Sequence, residues 1–108
     1  MKVLKTDTRT GQVVEIIDNR TLNDAKKMQN SAIRYFCSES ILNAGLDTAT
    51  QQNAALGIYS PERCEAIKNY IAACRNEYLR CKALILAATT NEMADSVTFI
   101  APPVPEGI

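Results

Sequence analysis

Apolar residues in the second half of the chain recur at alternating steps of three and four: Cys64, Ile67, Ile71, Cys74, Tyr78, Cys81, Ile85 and Ala88. This spacing predicts one long amphipathic helix whose apolar seam, with a seven-residue repeat, packs against another helix. Ser60 is placed to cap it and Pro61 suits its first position, where a missing N–H costs nothing. Glu62 and Glu65 set negative charge in the first turns, favourably against the helix dipole. The helix is expected over about 61–91. Upstream, Leu22, Ala25, Met28 or Gln29, Ala32, Ile33, Phe36, Cys37, Ile41 and Ala44 keep the same rhythm. They predict a first long helix over about 21–44, entered at Asn19 or Thr21 and stopped by Gly45.

Between the two, Asp47 or Thr48 can cap a short helical piece that ends at Gly57, with Ile58 and Tyr59 turning back onto the core. Before the first helix, residues 2–6 and 12–17 carry β-branched character around the turn-forming stretch Asp7-Thr8-Arg9-Thr10-Gly11, which predicts a β-hairpin. After the long helix, Pro102, Pro103 and Pro105 end regular structure and favour an extended polyproline course. The expected fold is therefore mainly α: two long antiparallel helices with a short connecting helix, an N-terminal β-hairpin (2–17) and an extended proline-rich tail. Residues 1–96 form a single domain in this reading. Residues 97–108 form a tail expected as an interaction arm on a neighbour rather than as part of the core, the alternative being a strap across its own helical hairpin.

Composition narrows the function more than it identifies it. The 108 residues carry 12 basic and 12 acidic groups, so no global field attracts nucleic acid or an acidic membrane. Charge is uneven, with seven basic and four acidic groups in residues 1–36, enough to orient neighbours in an assembly. Lys26, Lys27 and Arg34 read as a solvated helix face. No signal-peptide pattern and no membrane-length apolar run is present. Histidine is absent, which removes the commonest general base and nitrogen metal ligand. The four glycines stand singly, so there is no phosphate-cradling loop.

Four cysteines raise the question of disulfides. Cys64, Cys74 and Cys81 share one helix and sit about 10 Å or more apart along its axis. At most Cys37 could bridge to one of them, leaving free thiols that suit a reducing compartment. They read as small hydrophobes of the seam. Neither catalytic residue, cofactor nor metal site is expected.

One stretch carries a resemblance. Gln51-Gln52-Asn53-Ala54-Ala55, followed by a helix bearing Ala66-Ile67, Ile71, Arg75, Leu79 and Ile85, resembles the C-terminal part of small proteins encoded with tail genes of tailed bacteriophages. It covers residues 50–105 and implies a virion or assembly component, in the particle or in the host cytoplasm, without a catalytic residue. The sequence reading is accordingly a non-enzymatic structural or adaptor subunit, with protein partners or copies of itself. The candidate partner-binding residues are Ile71, Cys74, Tyr78 and Cys81 of the seam, the basic flank Lys68, Arg75 and Lys82, and Phe99, Ile100 and Val104 of the tail. Flanking charges of this kind select a partner helix and its orientation. They can equally form a solvated edge that supports the pairs Glu65–Lys68 and Glu77–Arg80. The alternatives are a small dimeric regulatory or DNA-associated helical protein and, third, a thiol-based redox or metal-binding protein.

Overall fold

The computed structural model describes the backbone of residues 2–6 and 13–108, and side chains from Asp18 onward. Two strands, β1 (Lys2–Thr6) and β2 (Val13–Ile17), pair antiparallel with Lys2 opposite Ile17 and Thr6 opposite Val13. The turn expected at residues 7–11 lies outside the described residues. Four helices follow: α1 (Leu22–Asn43), α2 (Thr48–Ala55), α3 (Pro61–Ala87) and α4 (Asn91–Ser96). The fold is mainly helical.

Each helix begins where a short polar side chain can take up an orphan backbone donor. Thr21 Oγ1 accepts from the Asp24 amide at 3.1 Å, Asp47 Oδ1 from Thr50 at 2.8 Å, and Ser60 Oγ from Arg63 at 3.3 Å. The ends of α1 and α2 share one device. Gly45 and Gly57 adopt φ of 86° and 73°, and the next amides, Leu46 and Ile58, donate to Ile41 O (3.2 Å) and Asn53 O (3.0 Å). Positive φ costs glycine nothing, so these residues reverse the chain where other residues would be strained.

α1 and α3 pack side by side as an antiparallel pair, and α2 closes one end of it. One cluster joins Ile67, Tyr70 and Cys74 of α3 to Leu46 and Ala54. The other joins Cys81 and Ile85 of α3 to Ile33 of α1 and Val97. Tyr70, almost fully buried, directs its hydroxyl to the Ser40 carbonyl at 3.2 Å, so its polar end is satisfied inside the core. The seam thus packs within the chain. Cys74 and Cys81 have no exposed surface, so they are unavailable to a partner and leave the candidate set.

Three further expectations are corrected. The long helix stops at Ala87 rather than near 91: Ala88 turns extended (φ −64°, ψ 138°), and Thr90 caps a new helix by accepting from the Met93 amide at 3.1 Å. Ala88 is buried although it has left the helix, which is why it extends the apolar pattern past the helix end. Ile58 is exposed, and only Tyr59 of that pair packs on the core.

The third correction concerns the tail. Val97 is buried, Phe99 packs against both clusters and Ile108 against the first. The Val97 carbonyl accepts from Gln29 Nε2 at 2.7 Å, and the Ile100 amide donates to Glu77 Oε2 at 2.7 Å. Phe99 is therefore partly buried against the clusters of its own chain.

Candidate interaction surface

α4 and the start of the tail cover one side of the α1–α3 pair, at Gln29 of α1 and at Glu77 and Arg80 of α3. The opposite side is lined along α1 by Asn23, Lys27, Asn30, Arg34, Ser38 and Ile41, at steps of three and four. Along α3 the corresponding line is Ile71, Arg75, Tyr78, Lys82 and Leu86. These lines face each other across two clefts, one of about 350 Å³ between Ile41 and Tyr78 and one of about 210 Å³ between Asn23 and Leu86. Asn30 Nδ2 donates to the Tyr78 hydroxyl at 3.3 Å where the clefts adjoin.

Charge on this side is one-signed. Nine basic residues lie beyond residue 17. Three of them are engaged elsewhere. Arg20 pairs with Asp18 (2.6 Å) and Asp95 (2.7 Å), Arg80 pairs with Glu77 (2.6 Å), and Arg63 lies 4.0 Å from the centre of the Tyr59 ring. Of the other six, Lys26, Lys27, Arg34, Arg75 and Lys82 line the clefts, and Lys68 stands one heptad before Arg75. None of the six forms an ion pair among the described residues, and neither cleft is lined by a carboxylate. The expected pair Glu77–Arg80 forms, and Glu65–Lys68 does not. The Arg34 guanidinium and Asn30 hold the Tyr78 hydroxyl below its ordinary pKa.

The sequence candidates separate on this geometry. Ile71 and Tyr78 are half-buried in the larger cleft, which Arg75 edges; Lys82 lines the smaller cleft, and Lys68 is exposed and lines neither. Ile100 and Val104 are exposed, though the Ile100 amide is tied to Glu77. The α1 half of the surface, Lys27, Arg34 and Ile41, was not among the candidates. Its signal was available: Lys27 and Arg34 stand seven apart, the interval that sets Lys68, Arg75 and Lys82.

The thiols offer little reactivity. All four are free, and burial pushes Cys37, Cys74 and Cys81 up, away from the thiolate that attack or metal binding needs. Cys37 Sγ instead meets the Cys74 carbonyl at 3.5 Å. Among the described residues no three cysteine, aspartate or glutamate side chains converge as metal ligands, and no helix is long and apolar enough to cross a membrane.

No family model, no characterised protein and no solved structure matches this chain.

Proposed function

We propose that this protein is a non-enzymatic structural or adaptor subunit of a larger assembly, with a place in the virion or tail of a tailed bacteriophage. The observation that carries the reading is the unequal treatment of the two sides of the α1–α3 pair. α4 and the start of the tail pack over one side, leaving a cleft of about 400 Å³ between Arg80, Leu84, Met93 and Ile100. The other side presents two apolar clefts edged by cations that form no ion pair among the described residues. A helical pair with one side left open is built to receive something that completes it. The phage assignment rests on the resemblance over residues 50–105.

Native mass by light scattering, alone and mixed with the products of neighbouring genes, tests the proposal. A stoichiometric complex with one neighbour is expected. A protein that ignores every neighbour would refute it. One feature favours a second reading, a DNA-associated helical protein: five cations line the clefts of one side. Binding to a short duplex that weakens steeply with salt would support that reading.

A further inference from the structure

Resting on that reading, we propose that the open side of α1–α3 docks an acidic amphipathic helix supplied by a partner protein. The occupant follows from three properties of the surface. Its floor is apolar, with Ile41, Ile71 and Leu79 in the larger cleft and Leu86 in the smaller. Leu79 and Leu86 are 46% and 66% exposed, apolar surface that a docked segment would remove from water. Its edges carry cations at heptad intervals, Lys27 and Arg34 on α1 and Lys68, Arg75 and Lys82 on α3. Its length from Ile71 to Leu86 is about 22 Å at the helical rise, or about four turns of a docked helix.

An apolar floor between two cationic rails at that interval complements one object. It is a helix with an apolar stripe at the a and d positions and carboxylates at the flanking e and g positions. Nucleic acid would satisfy the cations but leave Ile71, Leu79 and Leu86 facing phosphates. A second copy docking the same side would bring two cationic faces together, which opposes association.

The test uses the full chain and synthetic peptides of about 21 residues, enough to span the clefts. One has leucine at a and d with glutamate at e and g, and a second has lysine in place of each glutamate. A short DNA duplex is the third probe. Binding is read by fluorescence anisotropy at low salt, where surface charge is least screened. The glutamate peptide is expected to bind saturably and the lysine peptide to fail. The double variant Arg75→Glu, Lys82→Glu, at two exposed positions, is expected to lose at least tenfold in affinity while keeping its melting curve. Leu79→Ser, which leaves the charge unchanged, should lose several-fold.

Equal binding of the two peptides, indifference to the charge reversal, or tighter binding of the duplex would each overturn the proposal. So would a change in native mass on charge reversal, because it would place a second copy on this side. Absence of glutamate-peptide binding by a protein that still complexes a neighbouring gene product would overturn the docking helix and leave the subunit reading standing. Peptide binding without any neighbour complex would support the docking side and overturn the subunit reading.

Discussion

Phe99 is the residue whose replacement most directly tests how the tail is used. It lies beyond the last helix, between Thr98 and the exposed Ile100, and it contacts both hydrophobic clusters. Removing the ring of a fully buried phenylalanine costs about 3–5 kcal/mol. Phe99 is only partly buried, so Phe99→Ala is expected to cost about 2 kcal/mol by scaling that range. For a domain near 100 residues this lowers Tm by roughly 10 °C. Ile100→Ala is the internal control. Its side chain is 67% exposed and its tether to Glu77 uses the backbone amide, so its effect should stay within about 0.5 kcal/mol.

Thermal and urea unfolding followed by circular dichroism read both variants on one scale. The expected pattern is a large loss for Phe99→Ala, a negligible one for Ile100→Ala and an unchanged urea m-value for both. Equal melting of Phe99→Ala and the parent protein would show that the ring stabilises nothing in its own chain. The tail would then be an arm after all, and the packing argument would fail.

Two further perturbations probe the core and the tether. Ile67→Ala empties a site with no exposed surface between α2 and α3 and should cost about 3–4 kcal/mol, read by urea unfolding; a loss below about 1 kcal/mol would mean that the site is not packed. Glu77 is held down to about 2, chiefly by its hydrogen bonds from Arg80 and then by the Ile100 amide. A carboxyl lowered from 4.5 to about 2 contributes stability that is present above 4.5 and lost as pH falls through that interval. Glu77→Gln should therefore flatten the acid limb of stability between those values while leaving Asp18, also lowered by Arg20, to supply part of the remaining slope. An unchanged acid limb would show that the Glu77 tether is not formed in solution.

The two long helices and the short one were legible because their signals are local. Thr21, Asp47 and Ser60 announce helix starts, and Gly45 and Gly57 announce helix stops, within a few residues of sequence. The seam was legible as a buried stripe, but periodicity states that a stripe is covered without stating by what. Intrachain and interchain packing of Cys74 and Cys81 leave the same trace in sequence. The break after Ala87 was hidden for a related reason: Ala88 is buried and continues the apolar rhythm while its backbone has become extended. Thr89 and Thr90 were the available warning, since β-branched residues disfavour a helix interior and threonine is a good cap.

The position of the break bears on why one side of the helical pair stays open. Once the chain leaves α3 at Ala88, α4 and the tail could in principle return over either side. The side they take offers polar groups already balanced in charge. Glu77 and Arg80 pair with each other, and they and Gln29 still hydrogen-bond tail backbone at Val97, Thr98 and Ile100. The other side would present the five cations of the clefts to a segment from Val97 to Ile108 whose only ionisable side chain is Glu106. Covering those cations would desolvate charge without supplying partners for it, an outcome that disfavours packing even over an apolar floor. Charge thus disfavours the tail on the cationic side, although α4 carries Glu92 and Asp95 and spends Asp95 on Arg20. The side left over is one that an anionic partner, such as the proposed carboxylate-bearing helix, covers with less of that penalty.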